Sequence, residues 1–126
     1  MIAIVDDDDA MREALGELLQ VAGLTGVAFE GATEFLSGEA KQRFDAVITD
    51  IRMPHVDGIE LIRRVRQRGS ESPILVLTSC CEPEMRSRAF AAGATDYLTK
   101  PVADSDLIRR IEAILGLNGR ALAPSQ

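Results

Sequence analysis

The stretch PILVLTS, residues 73–79, contains four consecutive apolar residues between a proline and two hydroxyl residues. Two of the four apolar residues, Ile74 and Val76, are β-branched. A short apolar run of this kind is typical of a strand buried on both faces, as the strands of parallel sheets are. Polar residues follow at Thr78 and Ser79, where the run ends. The stretch therefore predicts an interior strand with polar side chains at its carboxyl end.

Four more short apolar runs lie on either side of this strand, and segments with helical periodicity separate them. The alternation of strand and helix predicts an α/β fold with an open parallel sheet and helices on both faces. The predicted strands are Ile2–Val5, Thr25–Phe29, Ala46–Thr49, Ile74–Leu77 and Asp96–Leu98. The predicted helices are Met11–Ala22, Thr33–Lys41, Gly58–Arg68, Pro83–Ala92 and Asp104–Leu115.

Composition restricts the class of protein. The chain has 126 residues, of which 46% are hydrophobic, and this suits one compact domain with its own core. The net charge of −6 argues against direct binding of nucleic acid. No apolar run approaches the ~20 residues of a membrane span. The two cysteines, Cys80 and Cys81, are adjacent, which fits neither a disulfide framework nor a zinc site. We therefore expect a cytoplasmic protein without membrane contact.

Charged and hydroxyl side chains follow four of the predicted strands. The run Asp6–Asp9 follows the first strand, Asp50 the third, Thr78 the fourth and Lys100 the fifth. Ligands of open α/β sheets bind beyond the carboxyl ends of the strands, so we expect these groups to lie together. Clustered carboxylates favour a hard cation, Mg²⁺ or Mn²⁺, while a lysine and a hydroxyl suit phosphoryl oxygens. Asp50 stands alone after a central strand and is the predicted nucleophile.

Several polar residues have a simpler structural interpretation. We expect Asp6 and Asp7 to serve a metal, whereas Asp8 and Asp9 start the first helix, where acidic residues are favoured. Asp57 is expected to start the third helix in the same way. The arginines of that helix are expected to form its solvated face. These arginines are Arg63, Arg64, Arg66 and Arg68.

Four motifs together resemble those of a response regulator receiver domain. They are VDD at 5–7, ITDIRMPHVDG at 48–58, VLTS at 76–79 and GATDYLTKP at 93–101. The resemblance covers residues 1–117, and residues 118–126 look like a tail or the start of a linker. A weaker resemblance, in FEGATEFLSG at 29–38, is to the FixJ-type receivers of bacterial transcription factors. The family fold is flavodoxin-like (CheY-like), with five parallel strands in the order 2-1-3-4-5.

The resemblance implies a role for each residue of the strand-end group. Asp50 would accept a phosphoryl group from a sensor histidine kinase, and Lys100 would pair with the phosphoryl oxygens. Asp7, Asp50 and the backbone carbonyl of Arg52 would bind Mg²⁺ directly. Asp6 would hold a water molecule bound to the metal. The protein would then be a phospho-acceptor with slow autodephosphorylation, and not an enzyme that acts on a separate substrate.

The resemblance also implies a conformational switch. Thr78 would move toward the phosphoryl group and Tyr97 would turn inward behind it, changing the surface of the fourth helix, fifth strand and fifth helix. Arg52 and Cys80 would flank the phosphoryl group and modulate its lifetime, in a direction that the family does not fix. The Lys100-Pro101 bond is usually cis in the family. A homodimer formed on phosphorylation is a further expectation.

Alternatives stay open at this point. Thr78 could cap a turn, and Tyr97 could be an ordinary core residue.

A Mg²⁺-dependent phosphohydrolase with an aspartyl nucleophile is a different function for the protein. Such enzymes commonly have a second carboxylate shortly after the nucleophile, where this chain has Arg52. A module that only binds ligand is a third. The receiver could control a DNA-binding output region outside this chain, act alone through protein contacts, or pass phosphate along a relay.

Overall fold

The computed structural model describes residues 1–39 and 43–116 of the chain. The strands are β1 (Ile2–Val5), β2 (Gly26–Phe29), β3 (Ala46–Thr49), β4 (Ile74–Thr78) and β5 (Asp96–Thr99). The helices are α1 (Asp9–Val21), α2 (Ala32–Glu39), α3 (Gly58–Gln67), α4 (Pro83–Ala92) and α5 (Asp104–Ile114). All neighbouring strands are parallel, in the order β2-β1-β3-β4-β5. The predicted α/β fold and strand order are confirmed.

The predicted bounds of β1, β3 and α4 are confirmed, and those of the other elements differ by one or two residues, for which α1 shows a reason. This helix begins at Asp9, before its first apolar residue, because the Asp8 side chain accepts hydrogen bonds from the backbone N–H groups of Ala10 and Met11. The expected role of Asp8 as a helix start is thus confirmed. The last residues of the predicted helix Thr33–Lys41 and the predicted tail at 118–126 fall outside the described residues.

Two hydrophobic layers cover the sheet, one on each face. All residues of β1, β3 and β4 are buried, and successive side chains of each strand enter opposite layers. One layer packs Val47 and Val76 against α2, α3 and α4, and the other packs Ile48 and Leu77 against α1 and α5. Burial on both faces explains why these strands are apolar throughout. Among the described residues, none of the helices is long and apolar enough to span a bilayer.

The expectation that the four arginines of the third helix are solvated holds for the three that are exposed and is wrong for Arg66, which is half-buried. The Arg66 guanidinium donates to the backbone carbonyl oxygens of Ser70, Ser72 and Gly93 at 2.7–3.1 Å. Arg68 donates to the carbonyl oxygen of Leu36 at 2.7 Å. Helical periodicity assigns a residue to a face, but it does not show that a long side chain can reach carbonyls on neighbouring elements.

The start of α3 lies against the end of β3. Asp57 caps the helix, as expected, because its Oδ1 accepts a hydrogen bond from the Glu60 N–H at 2.9 Å. The next residue, Gly58, donates its N–H to the carbonyl of Ile51 at 2.8 Å. A Cβ atom at Gly58 would lie 2.1 Å from the carbonyl oxygen of Asp50. Only a glycine therefore lets α3 approach the backbone of Asp50 this closely.

We predict that Gly58→Ala destabilises the protein by about 1–3 kcal/mol, as overpacking against an unyielding neighbour does. Gly16→Ala in α1 is the matched control. A Cβ atom there meets nothing within 4 Å, so alanine should stabilise the helix by up to about 1 kcal/mol. Urea unfolding of both variants measures the difference. Equal effects of the two substitutions would contradict the close approach at Gly58.

Candidate functional site

The ends of β1 and β3 lie side by side where the strand order reverses. The chain leaves β1 toward β2 on one side and returns to β3 on the other, so the loops after β1 and β3 diverge and leave a crevice between them. Asp6 follows β1 and Asp50 follows β3. The Asp50 N–H donates to the carbonyl of Val5 at 3.1 Å, which fixes the two strand ends in register. Both aspartates therefore start at the crevice.

The two oxygens of the Asp50 carboxylate have different neighbours. Oδ1 accepts hydrogen bonds from the backbone N–H groups of Ile51 at 2.6 Å and Arg52 at 3.3 Å. Oδ2 lies 3.5 Å from the Nζ of Lys100. The backbone thus orients the carboxylate through one oxygen and leaves the other facing an ammonium group.

Asp6 shares this ammonium group. Its Oδ2 lies 3.4 Å from Lys100 Nζ, and its Oδ1 accepts a hydrogen bond from the Asp8 N–H at 3.0 Å. Burial raises the pKa of the Asp6 carboxyl above its ordinary value, and the negative charge of Asp50 raises it further. The Asp8 N–H and Lys100 oppose this effect without reversing it. The site is therefore a pair of close carboxylates that one ammonium does not neutralise.

Lys100 reaches the crevice from the end of β5. Its backbone N–H donates to the carbonyl of Thr78 at 2.7 Å, and the Lys100-Pro101 peptide bond is cis. The side chain is mostly buried, so its charge is only partly screened by water. Three strand ends, those of β1, β3 and β5, thus deliver the carboxylates and the ammonium to one place.

Asp7 directly follows Asp6 at the end of β1. It is exposed and borders a concavity with Asp9, Glu30, Glu34 and His55. Within residues 1–39 and 43–116, no three carboxylate, imidazole or thiol groups are placed so that they could hold a metal together. Mg²⁺ usually needs only one or two protein carboxylates, with waters and a phosphate filling its other positions. The acidic residues that follow β1 and β3 fit such an ion, which would offset the repulsion between Asp6 and Asp50.

Thr78 and Tyr97 both contact the backbone of Cys80. The fully buried Thr78 accepts a hydrogen bond at Oγ1 from the Cys80 N–H at 3.3 Å. The Tyr97 hydroxyl donates to the Cys80 carbonyl at 2.8 Å, and its ring lies within the core. Burial raises the pKa of Tyr97 to about 12. Tyr97 therefore stays a protonated donor at any physiological pH, and the loop after β4 connects it to Thr78.

Arg52 spans the gap between the loops that follow β3 and β4. Its guanidinium donates to the Sγ of Cys80 at 3.7 Å and to the Oε1 of Glu82 at 3.2 Å. The contact with Cys80, followed by the charges of Glu82 and Asp50, raises the pKa of Arg52. Sequence reasoning placed Arg52 and Cys80 near the acceptor but missed Glu82. The sequence points to Glu82 only through its position, which is four residues after Thr78 and directly before Pro83.

The fold and this crevice define a doubly wound α/β protein with an acidic site and one lysine at the switch point. Residues 2–112 match the model of the response regulator receiver domain family. The chain therefore belongs to the receiver domains of response regulators, which are signalling proteins of two-component systems, and the resemblance seen in its motifs is confirmed.

Two relatives and one solved structure show the extent of the similarity. Transcriptional regulatory protein FixJ of Bradyrhizobium diazoefficiens is 39% identical over 90% of this chain and 56% of its own length. Response regulator MprA of a Mycobacterium species is 41% identical over 90% of this chain and 50% of its own length. The BeF₃-activated DrrB receiver domain is 32% identical with a TM-score of 0.83, covering 90% of this chain and 95% of that one. The chain thus spans about half the length of these two relatives.

We predict that Asp6→Asn stabilises the protein at pH 7 when no divalent cation is present. The folded state raises the pKa of Asp6, so at pH 7 its charge destabilises the fold, and asparagine removes that charge while keeping an oxygen for the Asp8 N–H. The melting temperature should rise by a few degrees.

The pH dependence gives the check on this prediction. The advantage of the variant should shrink as the pH falls through the raised pKa of Asp6 toward the ordinary value of 3.8, because the wild-type carboxyl then becomes neutral too. Thermal unfolding of both proteins at a series of pH values measures it. A variant less stable than the wild type at pH 7 would show that the Lys100 ion pair outweighs burial.

Proposed function

We propose that this receiver accepts a phosphoryl group on Asp50 from the phosphohistidine of a sensor kinase. The observation that carries the proposal is the two-sided environment of Asp50: Oδ1 is fixed by two backbone N–H groups, and Oδ2 faces Lys100. A carboxylate oxygen of Asp50 attacks phosphorus in line. The bond from phosphorus to the donor nitrogen breaks, and the histidine keeps the electron pair.

Lys100 and a divalent cation have complementary roles in this reaction. We propose that Asp7, Asp50 and the backbone carbonyl of Arg52 bind Mg²⁺ or Mn²⁺, with Asp6 holding a metal-bound water. When bound, the ion neutralises charge on the phosphoryl oxygens. Lys100 already lies 3.5 Å from Asp50, so it can turn from the carboxylates to the new phosphoryl oxygens without a large movement. The carboxylates, which repel an approaching phosphoryl group, are then neutralised from two sides.

The response to phosphorylation starts at Thr78. Its oxygen accepts from the Cys80 N–H, so its hydroxyl proton can be donated to a phosphoryl oxygen. We propose that Thr78 and Tyr97 shift the loop after β4, since both contact Cys80, and thereby change the surface of α4, β5 and α5. A new contact that favours one of two arrangements is sufficient to shift the population.

The output of the switch is proposed from the relatives. FixJ is named as a transcriptional regulator, and the chain covers about half of it. We propose that residues 1–117 form the receiver, that 118–126 form a tail or linker, and that the receiver controls transcription through an output region, with a homodimer formed on phosphorylation. Action through protein contacts alone, or as a relay intermediate, is the second candidate.

The phosphohydrolase alternative is disfavoured by the geometry around Asp50. The residue two positions after the nucleophile is Arg52, whose guanidinium is paired with Glu82. A guanidinium cannot act as general acid and base at neutral pH, because its pKa is far too high. We therefore propose a phospho-acceptor and not an enzyme acting on a separate substrate.

We predict that the wild type, incubated with Mg²⁺ and acetyl phosphate, gains the mass of one phosphoryl group. Asp50→Asn should gain none, because an amide is not a nucleophile toward phosphorus, and chelation of Mg²⁺ should abolish the gain. Intact-mass measurement gives all three results, and peptide mapping places the group. Asp57→Asn is the matched control, since Asp57 caps α3 in the neighbouring loop and should leave labelling intact. Labelling of Asp50→Asn would overturn the assignment.

A further inference from the structure

The Arg52–Glu82 ion pair links two loops beside the acceptor. Arg52 belongs to the loop after β3 and Glu82 is the residue that precedes α4. The Arg52 guanidinium lies 3.2 Å from Glu82 Oε1, and it also donates to the Sγ of Cys80. The ion pair therefore connects the segment that carries the acceptor to the segment that begins α4.

The backbone of Arg52 is held next to Asp50, whereas its side chain is exposed and can turn. Its backbone N–H donates to Asp50 Oδ1 at 3.3 Å, which places the residue beside the acceptor. Its side chain is 66% exposed, and that of Glu82 is 62% exposed. An ion pair this exposed contributes little to stability, because water and salt screen both charges. The guanidinium can thus exchange partners at low cost.

Phosphorylation of Asp50 would provide a stronger partner. A phosphoryl group carries about −1.5 to −2 charges and three acceptor oxygens, and guanidinium binds phosphate in a bidentate way. Lys100, the other cation at the acceptor, is already shared between Asp6 and Asp50. The added charge on Asp50 would therefore compete with the single carboxylate of Glu82 for Arg52.

We propose that Arg52 exchanges partners during signalling: it pairs with Glu82 in the unphosphorylated protein and with the phosphoryl group on Asp50 afterwards. This inference rests on the proposed function. In its second position the guanidinium shields the phosphoryl group from water, so the phosphorylated state lasts longer. The start of α4 simultaneously loses its link to the loop after β3. Glu82 is then a competitor that sets how readily Arg52 reaches the phosphoryl group.

The test compares the loss of phosphoryl group from four proteins labelled with acetyl phosphate and Mg²⁺. The proteins are the wild type, Arg52→Met, Glu82→Gln and the double variant. Glu82→Gln preserves the length of the side chain. Arg52→Met keeps an unbranched apolar side chain without the charge, and it keeps the backbone carbonyl that is proposed for the metal. Glu84→Gln, an exposed acid two residues further along the chain, is the control for net charge. Intact mass against time, after removal of the donor, gives each half-life.

Arg52→Met should shorten the half-life by about fivefold, the factor that a strong exposed ion pair supplies. Glu82→Gln should lengthen it, because Arg52 loses its competing partner. The double variant should behave like Arg52→Met alone, since Glu82 acts only through Arg52. Glu84→Gln should match the wild type.

Two results would overturn the inference while leaving the proposed function intact. One is an unchanged half-life in Glu82→Gln, and the other is an effect of Glu82→Gln that persists when Arg52 is already methionine. A wild type that takes no phosphoryl group on Asp50 would instead overturn the proposed function, and this inference with it.

Discussion

The repulsion between two carboxylates at neighbouring strand ends is the constraint on which the site depends. Parallel pairing of β1 with β3 brings Asp6 and Asp50 together at the switch point, and burial raises the pKa of Asp6. Within the part of the chain that the structure describes, only the ammonium of Lys100 pairs with both carboxylates. The site is thus short of positive charge before any ligand arrives. An added cation would relieve this shortage and would in turn allow the negative charge of a phosphoryl group to enter the site.

The loop after β4 links the acidic site around Asp50 to α4. Cys80 receives three contacts, from Thr78 and Tyr97 at its backbone and from Arg52 at its sulfur. The contacts come from β4, β5 and the loop after β3, so movement of any one of the three residues acts on the same short segment. That segment leads directly into α4. A change of charge at Asp50 can therefore reach the α4 surface over a short path of named contacts.

The sequence allowed the fold and the central site to be predicted because both follow from short-range rules. Uninterrupted apolar strands predicted the parallel sheet, and the position of Asp6, Asp50 and Lys100 after strands predicted that they meet. Side-chain reach was not predictable in this way. Arg66 binds distant carbonyls and Glu82 pairs with Arg52, and both contacts depend on how loops approach one another. The bounds of α1 also required the cap geometry of Asp8.

Fluorine NMR of the protein with beryllium, fluoride and Mg²⁺ shows whether the crevice binds a phosphoryl group at Asp50, because BeF₃⁻ imitates a phosphoryl group without being hydrolysed. We expect ¹⁹F resonances of bound fluoride in the wild type, present only when all three components are added, and none in Asp50→Asn. A wild type without bound resonances, or an Asp50→Asn variant that shows the same resonances, would contradict the claim that the crevice between β1 and β3 is a phosphoryl site built on Asp50.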